Sequence, residues 1–266
     1  MRAFFIFITS LFIFSQACLA QTNTGSWKIE KSEHFIIYSR TASPEYVSEV
    51  LHKAESYYIS ITEELGFTRF DKFWTWENRA VIYLFTDADE YQKITNNPGW
   101  SGAGTNVYQR KIYTFVNMKN FFDVILPHEI GHIVFREFVG YAKPLPLWLD
   151  EGVACYLEKS QRADRLRTAK ALVRSKIFMP IEELQTVNKM YLLIMPDIFY
   201  AESASIIEFL IDAYGKERFI EFMRRLRDLR ADQPWEVALK EAYGFQDISE
   251  LNARWMNFLF DGKKGS

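Results

Sequence analysis

His128-Glu129-Ile130-Gly131-His132 and, a little downstream, Leu147-Trp148-Leu149-Asp150-Glu151-Gly152-Val153-Ala154 are the two stretches that organise this chain. Histidines four apart lie one turn apart on one helical face, so both imidazoles can reach a single ion. Glu129 is rotated about 100 degrees from that face, where its carboxylate can meet a water instead of the ion. Glu151 falls 19 residues after His132, at the start of a second helix, with Pro144 and Pro146 breaking the chain between. Two helices joined by such a turn can bring Glu151 opposite the histidine pair. Two imidazoles and one carboxylate leave one tetrahedral position open for water, the ligand count of a catalytic zinc site. The chain holds only four histidines, two of them here; His34 and His52 read as ordinary surface or core residues.

Upstream of these stretches the patterning is mixed. Residues 33–39 and 79–85 read as strands, and 103–108 with 111–116 as a hairpin about Gln109-Arg110. Pro44 opens a helix whose apolar residues recur at three and four as far as Leu65, and Gly66 ends it. A short helix over 88–94 and the turn cluster Asn96-Asn97-Pro98-Gly99 follow. Downstream, nearly everything reads helical: 121–139, 147–158, 161–175, 198–214, 216–229, 234–243 and 247–260. The expected class is α+β, with an αβ part over about 27–140 and an all-helical part over about 141–266.

Composition excludes several classes. Of 266 residues, 48% are hydrophobic and 17% aromatic, enough apolar surface to offset the entropy of folding, so the chain is not disordered. Lys+Arg number 32 against 34 Asp+Glu, and this balance argues against a nucleic-acid binder. Arg224-Arg225 and Arg227–Arg230 share a helix with Glu221 and Asp228 and read as a solvated face. Two cysteines exclude a disulfide scaffold. Residues 1–20 read as a signal peptide: Arg2, an apolar run from Ala3 to Phe14, then Ala17-Cys18-Leu19-Ala20 before Gln21. The apolar run is too short to span a bilayer, and no later stretch is long and apolar enough. The protein is therefore expected to be exported, to a bacterial periplasm or the cell exterior. Cleavage after Ala20 leaves Cys155 as the one cysteine, a small buried residue on this reading. An alternative cuts before Cys18 and acylates it, as in a lipoprotein, although Ser15 stands where a leucine is usual.

The metal-type motifs resemble those of the gluzincin zinc metallopeptidases, most closely their compact peptidase MA-like branch. The matching residues are His128-Glu129-x-x-His132 and Trp148-Leu149-x-Glu151-Gly152-x-Ala154. A looser match is Tyr200 followed by Ser203 and Ser205, leading into Ile206–Tyr214-Gly215. The likeness covers about 100–215. It implies a zincin-like core, with a small mixed sheet packed on the active-site helix and helices after it, in a single peptidase domain over 21–266. It implies Zn2+ held by His128, His132 and Glu151, with Glu129 as general base and a peptide or protein as substrate. It also implies that Tyr200 points a hydroxyl at the oxyanion, with Tyr156 and Tyr191 as rivals. The stretch Ser101-Gly102-Ala103-Gly104-Thr105 is either an ordinary loop or an edge where a peptide adds as a strand, glycines easing its approach.

One departure matters. Thermolysin-type sequences place an aspartate four residues after the glutamate ligand to orient a histidine, and here that place holds Cys155. Asp150 is a substitute candidate, on a face where it would equally cap the helix. Two alternatives stay open: a zinc hydrolase acting on a non-peptide amide or cell-wall material, and a non-catalytic exported interaction module with a zincin fold. The intact Glu129 and ligand set count against the second.

Overall fold

Alternation writes the strands. In a computed structural model, which describes residues 26–67, 78–97, 102–141, 143–188, 195–230 and 232–261, β2 (Phe35–Ser39) buries Phe35, Ile37 and Ser39 and leaves Ile36 and Tyr38 half-covered. β3 (Ala80–Phe85) and β5 (Lys111–Phe115) repeat the pattern. The signal-peptide reading, Cys18, Pro98-Gly99, Ser101 and Tyr191 lie outside the described residues. β1 (Lys28–Lys31) and β4 (Ala103–Asn106) complete a five-stranded sheet in the order β1-β2-β3-β5-β4. Its three central strands are parallel and both edges antiparallel, so the sheet is mixed. β1 escapes the sequence pattern because all four of its residues are exposed, so no buried face imposes an alternation. Its two lysines suit an unpaired edge.

The crossover from β2 to β3 is α1 (Pro44–Glu64). Ser43 caps it by accepting from the Tyr46 amide, and Pro44 sits in the first turn, where its missing N–H costs nothing. α2 (Ala88–Thr95), capped by Asp87, joins β3 to β4. β4 and β5 are joined through a 3-10 turn over Val107–Gln109, as the expected hairpin.

The join helix begins later than expected. Phe121–Ile125 forms a π-helical turn, and α3 runs regularly over Leu126–Val139. Pro127 explains the change, since it has no N–H to donate back into the preceding turn. The helical half follows as α4 (Leu147–Leu157), α5 (Arg162–Arg174), α6 (Ile181–Leu184), α7 (Pro196–Tyr214), α8 (Lys216–Asp228), α9 (Glu236–Tyr243) and α10 (Ile248–Asp261). α6, a single turn, was not expected because it is too short to show a period.

Two glycines set how closely the central helices approach. A Cβ on Gly131 of α3 would lie 2.7 Å from Leu157 Cδ1 of α4. One on Gly152 of α4 would lie 2.6 Å from the Ser203 carbonyl oxygen of α7. Hydrogen at these positions lets α4 pack between α3 and α7, which fixes Glu151 relative to the α3 histidines. A buried apolar cluster runs from Phe35 and Ile37 of the sheet through α3 and α4 to Trp255 and Leu259 of α10, and so spans both halves.

Candidate metal centre

α3 presents His128 and His132 one turn apart, with their Nε2 atoms 3.1 Å from each other. Glu151, in the first turns of α4, brings Oε2 to 3.5 Å from each of those two nitrogens. The three donors form a near-equilateral triangle. Ligand atoms on a tetrahedral ion at 2.0–2.1 Å would be about 3.3 Å apart, so the triangle has the dimensions of one face of such a shell. Nitrogen and carboxylate donors suit zinc and neighbouring divalent ions. The residues present therefore fit a metal.

Each histidine is held from behind at its other ring nitrogen. His132 Nδ1 lies 3.0 Å from Asp150 Oδ1, whose second oxygen accepts from Arg136 Nε at 2.7 Å. His128 Nδ1 lies 2.8 Å from Glu158 Oε1, whose second oxygen accepts from Arg165 Nη2 at 2.5 Å. A carboxylate at Nδ1 favours the tautomer that leaves Nε2 free to bind an ion. Asp150 is thus brought to a histidine, as one of its two sequence readings held. Glu158 was missed. It lies two helical turns after Glu151, a spacing that a search by helical face would have found. Cys155 is fully buried with its thiol against His128, so it packs at the site without replacing the absent aspartate.

Electrostatics follow from this crowding. Burial alone would lower the proton affinity of both histidines, but the acidic groups around them reverse the effect. His132 is raised to about 10, chiefly by Glu151 and Asp150. His128 is raised well above its ordinary value by Cys155, Glu151 and Glu158. Burial would raise the three carboxyls, yet Glu151 is held low by His132 and His128. Asp150 is held low by His132 and Arg136, and Glu158 by His128 and Arg165. The pocket thus keeps its carboxylates ionised, and these in turn hold up the proton affinity of the two imidazoles.

Glu129 is 8% exposed, and the Thr105 hydroxyl donates to its Oε2. Thr105 lies on β4, the edge strand, so the glycine-rich stretch borders the site. Thr105 was not singled out as a site residue, because a contact between a strand and a helix 24 residues away leaves no local spacing to read. The Tyr200 phenol is held protonated by burial and by the neighbouring charge of Glu151, with Cys155, His128 and Glu129 also close enough to act on it. Tyr156 faces elsewhere, under the Arg162 guanidinium at 3.7 Å and near Glu64, Asp212 and Glu208. His34 pairs with Glu55 at 2.6 Å, and His52 is exposed; neither is brought to the metal-type cluster.

This α+β architecture, with two histidines and a glutamate converging beside a further glutamate, has the layout of a metal-dependent hydrolase. Residues 74–261 match the model of the peptidase MA superfamily, and the chain belongs to that superfamily. Membership makes it a metallopeptidase-like enzyme of a generally metal-dependent group, with peptides as the substrates the family implies. No curated protein matches the chain. No described helix is long and apolar enough to cross a membrane.

Proposed function

We propose that the protein is an exported zinc metallopeptidase, in a single zincin-like domain over 21–266, that hydrolyses peptide bonds with Glu129 as general base. The observation that carries the reading is the triangle of His128 Nε2, His132 Nε2 and Glu151 Oε2, with edges of 3.1, 3.5 and 3.5 Å. His128, His132 and Glu151 would hold the zinc, which supplies Lewis acidity, polarising the scissile carbonyl and making water nucleophilic at neutral pH. The Glu129 carboxylate takes the proton of the attacking water and delivers it to the leaving amine. Thr105 holds one oxygen of that carboxylate and so orients the other. Tyr200, its phenol kept protonated, donates to the carbonyl oxygen as negative charge develops there. The outer edge of β4, the last strand of the sheet, receives the substrate backbone as an added strand.

Export rests on the leader. The mature chain is expected to begin at Gln21, and intact mass of the secreted protein reads this directly. A mature terminus at acylated Cys18 would instead make it a lipoprotein. The metal assignment is tested by zinc stoichiometry: Glu151→Ala should lower occupancy strongly, and unchanged zinc content would remove Glu151 from the ligand set.

A further inference from the structure

The two metal-site histidines are supported from different parts of the chain. His132 is backed by Asp150 and Arg136, and Arg136 lies on α3 itself, one turn after the histidine. Its guanidinium also donates to the Lys143 carbonyl at 3.0 Å, so its orientation has an anchor of its own. His128 is backed by Glu158, at the end of α4, and by Arg165, which comes from α5 in the helical half.

Glu158 has a side chain only 2% exposed. A carboxylate in such a place is costly unless both oxygens find charged or hydrogen-bonding partners. Oε1 serves His128 Nδ1 and Oε2 serves Arg165, so the guanidinium occupies one lobe and leaves the other aimed at the imidazole. The same guanidinium lies 5.7 Å from the centre of the Tyr200 ring, within cation–π range. One cation from α5 therefore holds the support of a metal-site histidine and lies over the Tyr200 ring. The start of α5 is itself fastened: Arg162 donates to the Tyr156 carbonyl at 2.7 Å, and the Ser160 hydroxyl donates to the Asp123 carbonyl at 3.0 Å.

We infer that Arg165 is a positioning residue for the metal centre, fixing the His128 ring through Glu158 and tying the site to the helical half. The inference rests on His128 being a metal ligand. Loss of the guanidinium leaves Glu158 without the partner that orients it, and His128 loses a fixed Nδ1–H contact. Disturbed partners behind a ligand typically weaken metal binding about 10–100-fold.

The test is the zinc affinity of the full protein, measured by competition with a chromophoric chelator. Arg165→Met should lose about 10–100-fold, and Glu158→Gln a similar factor. The double variant should lose no more than the worse single, because both act on one chain of contacts. Arg165→Lys should recover part of the loss. Arg167→Met is the structural control: Arg167 lies on the same helix, is exposed, and pairs with Asp164 of that helix, away from the donors and from the contacts that fasten α5. It should stay within about twofold of wild type, the scatter expected of a residue outside the metal-bearing network. Where Arg165→Met does not fold, Arg165→Gln carries the same expectation. Wild-type affinity in the Arg165 variants, or an equal loss in Arg167→Met, overturns the inference. Multiplying losses in the double variant also overturn it. A wild-type protein that binds no zinc overturns it too, and separately refutes the metal reading on which it rests.

Discussion

At the scale of single residues, the site is a matter of which oxygen faces which nitrogen. Glu129 lies on the same helix as the histidines, yet its carboxylate is held by a strand through Thr105. Thr105→Val removes that hydroxyl while keeping shape and β-branching. On the proposed mechanism, kcat should fall by about tenfold with KM and zinc content unchanged, since proton transfer depends on the placement of the base. Thr105→Ser should restore the rate. An unchanged kcat in Thr105→Val would show that the contact does not orient the base. This is also the scale at which sequence reasoning divides most clearly. His128, Glu129 and His132 were legible from spacing within one helix, and Glu151 from its place at the start of the next helix after the proline turn. Thr105 and Arg165 were not, because each reaches the site across a packing contact between elements, while Glu158 needed only a search along the helical face of Glu151.

At the scale of elements, the helices were legible from their punctuation. Pro44 and Gly66 bound α1, and Gly140, Pro146, Gly215 and Gly244 separate later helices. What the punctuation cannot give is how closely two helices approach. Gly152 has the Ser203 backbone carbonyl against it, and backbone cannot rotate aside. Gly152→Ala should therefore cost about 1–3 kcal/mol in denaturant unfolding. Gly131→Ala should cost less, because the flexible end of Leu157 can yield. Equal, negligible losses at both sites would contradict the packing described. α7 makes a second prediction through Glu202. Its Oε1 accepts from the Met179 amide at 3.0 Å, and its Oε2 is buried with no hydrogen-bond partner among the described residues. Burial pushes this carboxyl up from an ordinary 4.5 to about 8. The folded chain thus keeps a proton that the unfolded chain releases near 4.5. Stability from this group is fully present below that pH and is lost as pH rises through about 8. Glu202→Gln keeps the acceptor for Met179 without the charge. Melting curves should show its advantage over wild type growing between about pH 5 and pH 8. A pH-independent difference would contradict the assignment.

At the scale of the molecule, the division into a sheet-bearing half and a helical half was legible, because period-two patterning stops near residue 116 and period-3.6 patterning takes over. The strand order was not. Nothing local places β5 between β3 and β4, and charged β1 carries no apolar alternation. On the proposed function the whole fold is a clamp: α3 carries the histidines, α4 brings the third donor, and β4 holds the Glu129 carboxylate through Thr105. The central claim is that this clamp cleaves peptides through Glu129. The most direct test treats a diverse peptide library with zinc-loaded wild type and Glu129→Gln, reading cuts by mass spectrometry. The account predicts cuts by wild type that chelation abolishes, and a Glu129→Gln variant that keeps its zinc yet loses at least about 10²-fold in rate. Peptide cleavage retained in Glu129→Gln, or none by zinc-loaded wild type, would contradict it.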